Sequence, residues 1–151
     1  AFGDGRRKSK RRGADFTSRC RKKRGMEDKM IKILVVDDEK SICDLIDLNL
    51  SASGYHCQSV QNGLDAIDLI EKENFDLILL DIYLRKMDGY EVMEHIRRNP
   101  QLAKIPVILL TAAEQEDEER SFALGAVDFI RKPFDPQMLL SRIEAVWRME
   151  E

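Results

Sequence analysis

From Ile31 onward the chain alternates short apolar runs with longer amphipathic stretches, and no other feature constrains its fold as strongly. An uninterrupted run of β-branched residues and leucines suits a strand buried on both faces, and such strands belong to parallel sheets covered by helices. Five strand-helix units fit this pattern, the sequence form of an α/β domain with a mostly parallel sheet. Strands are predicted over residues 31–36, 55–60, 76–80, 105–110 and 127–131, the second of them more polar and suited to a sheet edge. Ile42, Leu45, Ile46 and Leu50 mark the first helix, which ends near Gly54. Asn62 caps the second, with Leu64, Ile67 and Ile70 as its apolar stripe. Asp88-Gly89 opens the third, which buries Val92, Met93 and Ile96 and stops at Asn99-Pro100. A fourth over residues 114–124 begins with Glu114, Glu116, Asp117, Glu118 and Glu119, acids that favour the positive end of a helix dipole, and closes at Gly125. Asp135 and Pro136 form the N-cap and first position of the last, with Leu139, Ile143 and Val146 inward.

The net charge of -3 conceals a division. Residues 1–25 hold eleven Lys or Arg against two Asp, a surplus of nine positive charges, so the remainder stands at -12. With so few apolar side chains, residues 1–29 read as a basic, disordered tail, either a nucleic-acid or acidic-surface tether or an appended leader without a role. Residues 30–151 form the domain. Its longest apolar runs are too short to span a bilayer, and the chain reads as cytoplasmic. Cys20, Cys43 and Cys57 show no spacing that suggests zinc or redox work, and they are expected to be reduced thiols.

In open parallel sheets the functional crevice lies at the carboxyl ends of the strands. There the sequence places Asp37 and Asp38 after the first strand, Asp81 after the third, Thr111 after the fourth and Lys132-Pro133 after the fifth. Alone, each has an ordinary explanation as a helix cap or a solvated side chain. Together, three carboxylates and one ammonium leave a net charge of -2 in one crevice, and like charges at that range repel strongly. Either a carboxylate takes up a proton or a divalent cation enters, and a hard oxygen-only site suits Mg²⁺, with Mn²⁺ as a substitute. A phosphoryl group then finds Lys132 and the Thr111 hydroxyl as partners, and Asp81 as the nucleophile that forms an acyl phosphate.

The segments L-V-V-D-D-E, L-I-L-L-D-I-Y-L-x-x-M-D-G-Y-E, V-I-L-L-T-A and F-I-R-K-P-F resemble the receiver domains of two-component response regulators, over residues 31 to about 148. The resemblance implies a flavodoxin-like, doubly wound sheet of five parallel strands in the order 2-1-3-4-5, with five helices; the same order is familiar from a chemotaxis receiver. It also implies that Asp38 and Asp81 bind Mg²⁺ directly, that Asp37 acts mainly through water, and that the Tyr83 backbone carbonyl completes the ligands. Thr111 and Lys132 would hold the phosphoryl oxygens, and the Lys132-Pro133 bond would be cis. Thr111 and Phe129 would form the switch, biasing a face made of the fourth helix, fifth strand and fifth helix toward a downstream protein or a second copy. The donor would be a sensor histidine kinase or a phosphotransfer protein, and no external substrate would be turned over.

Two positions depart from the family pattern. Arg85 stands where a proline is usual, which leaves the loop after Asp81 less constrained in φ. Tyr83 lies two positions past Asp81, where the resemblance implies a side chain flanking the route by which water reaches the acyl phosphate, so its bulk is expected to slow phosphoryl loss. His56 and His95 have no convergent partners. Competing readings are an aspartate-nucleophile phosphohydrolase, which starts with the same chemistry, and a flavin or nucleotide binder, which the acidic strand ends oppose.

Overall fold

The computed structural model describes residues 30–112 and 115–149. The basic tail, Cys20 and Glu114 lie outside them. Strands β1 (Lys32–Val36), β2 (His56–Val60), β3 (Leu77–Asp81), β4 (Val107–Thr111) and β5 (Asp128–Arg131) alternate with helices α1 (Lys40–Ala52), α2 (Gly63–Lys72), α3 (Gly89–Arg98), α4 (Gln115–Ala123) and α5 (Pro136–Met149). All strand pairs are parallel, in the order β2-β1-β3-β4-β5. The polar β2 is an edge, as its composition requires.

Strand residues alternate between two buried layers. Ile33, Val35, Leu77, Leu79, Ile108 and Leu110 pack with Cys43, Ile46 and Leu50 of α1 and with Leu139, Ile143, Val146 and Trp147 of α5. On the opposite face Leu34, Val36, Ile78, Leu80, Leu109 and Phe129 pack with Ala66 and Ile70 of α2 and with Val92, Met93 and Ile96 of α3. Both faces of β3 and β4 are therefore dry, which is why these runs contain no polar interruption before their last residue.

The expected stripes of α1 and α2 need correction. Leu45 is 39% exposed and Leu64 is 50% exposed, whereas Cys43 and Ala66 are buried. The inward residues follow the spacing i, i+3, i+7: Cys43, Ile46 and Leu50 in α1, Gly63, Ala66 and Ile70 in α2. Size misled the sequence reading of α2. Its first turn sits so close to the loop after β3 that a Cβ on Gly63 would lie 2.1 Å from the Met87 carbonyl oxygen. The strands also start one or two residues later than expected, and β3 and β4 each extend by one residue, so Asp81 and Thr111 are their last members.

Caps agree with the sequence. Asn62 accepts from the Asp65 N–H at 2.9 Å. Asp88 and Glu91 form a reciprocal capping box on α3. Asp135 accepts from the Gln137 N–H at 3.1 Å. Gly125, at φ +98, turns the chain after α4.

Gly89 joins the fold to the acceptor position. Its N–H donates to the Ile82 carbonyl at 2.7 Å. A Cβ there would stand 2.4 Å from the Asp81 carbonyl oxygen and 2.6 Å from the Ile82 Cα. These are backbone atoms and cannot rotate away. Gly89→Ala is expected to lower unfolding free energy by about 3 kcal/mol, the upper end of ordinary overpacking costs, as read from urea midpoints. A loss below about 1 kcal/mol would show that α3 shifts freely against β3.

Candidate functional site

Parallel order puts every strand's carboxyl end on one edge, and the acidic residues meet there. Asp37 follows β1 directly. Its N–H donates to the Val60 carbonyl at 3.2 Å, and its Oδ1 accepts from the Glu39 N–H at 2.9 Å. Glu39 is the N-cap of α1 and makes no side-chain cap bond, so the Asp37-Asp38 pair does not fill the ordinary capping role. Asp37 is fully buried and Asp81 is 4% exposed. Asp81 Oδ1 accepts from the Tyr83 N–H at 3.2 Å.

Lys132 Nζ lies 2.6 Å from Asp37 Oδ2, 3.2 Å from Asp81 Oδ2 and 3.6 Å from Glu39 Oε1. Its position follows from the backbone: the Lys132 N–H donates to the Thr111 carbonyl at 2.8 Å, and the Lys132-Pro133 bond is cis as expected. Thr111 is 1% exposed at the end of β4, beside Arg131 in the register. Phe129 pairs with Leu109 and is 6% exposed, an inward position, with the Arg131 guanidinium 5.7 Å from its ring centre.

Burial pushes the Asp81 carboxyl above the usual carboxylate range; Lys132 draws it down, and the Asp37 charge raises it further. For Lys132, burial works against the ammonium. The hydrogen bond to Asp37 and the charges of Asp81 and Asp37 outweigh it, so its pKa is raised. The crevice thus holds a firm cation and a carboxylate that resists ionising.

One carboxylate oxygen from each of Asp37, Asp38 and Asp81 lies within 4.8 Å of the others. Octahedral Mg²⁺ binds oxygens at about 2.1 Å, so ligands on opposite sides of one ion stand about 4.2 Å apart. The hard oxygen donors suit that ion, and a pair at the full 4.8 Å would have to close by about half an ångström to share it. Arg85 approaches Asp38 only to 3.9 Å, with its side chain 82% exposed, too solvated to neutralise the cluster. The loop carrying it includes Lys86 at φ 69, a left-handed conformation.

The roles of two residues escaped the sequence reading. Glu39, third in the run D-D-E, adds a carboxylate to Lys132. Asp117, read as a helix-dipole acid, instead accepts from the Tyr83 hydroxyl at 2.7 Å and the Tyr90 hydroxyl at 2.6 Å. No local pattern announces contacts between residues 34 and 27 positions apart. His95 pairs with Glu71 at 2.8 Å, away from the acidic crevice. Cys43 and Cys57 are free thiols. No helix among the described residues is long and apolar enough to cross a membrane.

Residues 33–144 match the family model described as response regulator receiver domain. The chain is 40% identical over 120 residues to the DNA-binding dual master transcriptional regulator RpaA of Synechocystis, an alignment covering 79% of this chain and 50% of that protein. It thus spans about half the length of that curated relative. Among solved structures, the chemotaxis protein CheY4 of Vibrio cholerae is 31% identical with a TM-score of 0.74, covering 78% of this chain and 99% of that one. A putative response regulator of Chloroflexus aurantiacus is 30% identical with a TM-score of 0.76, covering 80% and 99%.

Proposed function

The chain belongs to the response regulator receiver domain family of two-component signalling, and on that premise we propose that Asp81 accepts a phosphoryl group from a histidine kinase or a phosphotransfer protein. The observation that carries this reading is the convergence on one edge of Asp81, two further carboxylates within 4.8 Å and Lys132 Nζ at 3.2 Å. An Asp81 carboxylate oxygen attacks phosphorus in line, the donor's bond to phosphorus breaks, and an acyl phosphate remains on the aspartate. Asp37, Asp38, Asp81 and the Tyr83 carbonyl would hold Mg²⁺ or Mn²⁺, with Asp37 acting mainly through water. The cation supplies counter-charge to the phosphoryl oxygens. Lys132 and the Thr111 hydroxyl take the remaining oxygens.

The family membership makes this a signalling domain rather than an enzyme of external turnover, so the phosphohydrolase and flavin readings give way. Residues 30–151 act as the receiver, in the cytoplasm. Thr111 and Phe129 act as the switch, and α4, β5 and α5 form the face that engages a downstream protein or a second copy. Residues 1–29 act as a separate basic tail, the one segment whose charge suits nucleic acid.

The test is direct. Protein incubated with Mg²⁺ and a small phosphodonor should gain one phosphoryl group by mass, and Asp81→Asn should gain none. No gain in the parent, or an equal gain in the variant, would end the proposal.

A further inference from the structure

We propose that Asp117 is a positioning residue for the phosphoryl site, fastening the Tyr83 ring across the crevice where water would approach phosphorus. The inference rests on Asp81 being the acceptor and adds a residue that reaches the site through the Tyr83 hydroxyl.

Tyr83 begins two residues beyond Asp81, and its N–H is bound to Asp81 Oδ1 at 3.2 Å. Its hydroxyl ends at Asp117 Oδ2, 2.7 Å away, in the first turns of α4. Asp81 closes β3 and Thr111 closes β4, which are neighbouring strands. α4 follows Thr111, so a side chain rooted beyond β3 and fastened to α4 spans the gap between the two strand ends.

Exposure makes the fastening matter. Tyr83 is 55% exposed, and an aromatic ring with that much freedom would visit several rotamers and obstruct no single path. A hydrogen bond to a charged acceptor selects one of them. The anchor is itself fixed. Asp117 Oδ1 accepts from the Tyr90 hydroxyl at 2.6 Å, and Tyr90 is 6% exposed with the Arg120 guanidinium 3.9 Å over its ring. The Asp117 carbonyl accepts from the Ser121 hydroxyl at 2.6 Å.

The step obstructed is hydrolysis of the acyl phosphate. Water oxygen attacks phosphorus, the bond from phosphorus to the Asp81 oxygen breaks, the electron pair returns to the carboxylate, and the two water hydrogens leave with the phosphate as dihydrogen phosphate, which can pass one proton to solvent. In-line attack requires the water to stand opposite Asp81. A ring held over that approach lowers the fraction of time it is open.

Phosphoryl loss after removal of donor, followed by intact mass, tests this in the parent, Tyr83→Phe, Asp117→Ala, Asp117→Asn and the Tyr83→Phe/Asp117→Ala double variant. Tyr83→Phe keeps the ring and removes the hydroxyl that bonds to Asp117. Tyr83→Phe and Asp117→Ala should each lose phosphoryl about fivefold faster, the scale of one charge-assisted hydrogen bond on an exposed side chain. The double variant should be no faster than the faster single one, since both remove the same tie. Asp117→Asn, which retains an acceptor oxygen, should fall between Asp117→Ala and the parent. A parental rate in Tyr83→Phe, or a double variant accelerated by the product of the two single effects, would overturn the inference while leaving Asp81 as acceptor. Absence of phosphoryl gain in every variant and the parent would overturn the acceptor reading and this inference together.

Discussion

Asp81→Asn is expected to be inert toward phosphodonor and, without a divalent cation, more stable than the parent. The two outcomes have one cause. The fold raises the Asp81 pKa, chiefly through burial, so the proton-bound form is the one the native structure favours. For a carboxyl with a raised folded pKa, stability is greatest below its ordinary pKa and falls as pH rises through the interval up to the folded value. Once pH has risen through that interval, the parent carries a destabilising negative charge. Asparagine has nearly the same shape without the charge, so its thermal midpoint in EDTA should exceed the parent's. Added Mg²⁺ should reverse the advantage, because a ligand that binds only the native state stabilises by about 2.7 kcal/mol at a hundredfold excess over its Kd. The variant, with one ligand fewer, should gain less. Equal midpoints in EDTA together with equal Mg²⁺ responses would mean that Asp81 neither suffers repulsion nor contributes to metal binding.

Lys132→Met should have the opposite effect on the fold. Asp37 is fully buried, and Lys132 is its closest cationic partner at 2.6 Å among the described residues. Removing one member of a buried ion pair strands the other and costs about 3–5 kcal/mol. A loss of about 3 kcal/mol in urea unfolding at pH 7 without metal is expected, since the site edge admits some water. Phosphoryl gain should slow about a hundredfold, as when a charge-stabilising donor is removed. Alkaline titration gives a second check. The Lys132 pKa is raised above its ordinary 10.5, so its contribution is complete below that pH and fades as pH climbs through the higher folded value. The parent should show this alkaline loss and Lys132→Met should lack it. A stability change under about 1 kcal/mol would show that Asp37 does not depend on Lys132 for its charge partner.

The sequence carried most of this architecture because the sheet is dry on both sides. β1, β3 and β4 each bury four or five residues in succession, a pattern visible as uninterrupted apolar letters. The caps at Asn62, Asp88 and Asp135 were equally legible, since capping is local chemistry. Asp37, Asp81, Thr111 and Lys132 were found because an apolar run that ends in a polar residue delivers that residue to the sheet edge. What escaped was set by neighbours distant in sequence. Leu64 looked inward because it is large, but the inward face of α2 begins with Gly63, selected by the approach of Met87. Asp117 looked like dipole compensation because the tyrosines that hold it belong to another strand-helix unit.

Lys132 bonds to Asp37 across 95 positions of sequence and to Asp81 across 51. Contacts that distant must await the arrival of the fifth strand at its place in the sheet, so no early portion of the polypeptide can assemble the crevice by itself. The crevice is therefore complete only when the whole sheet is. A chain whose fifth strand has not docked lacks the ammonium that stands between Asp37 and Asp81.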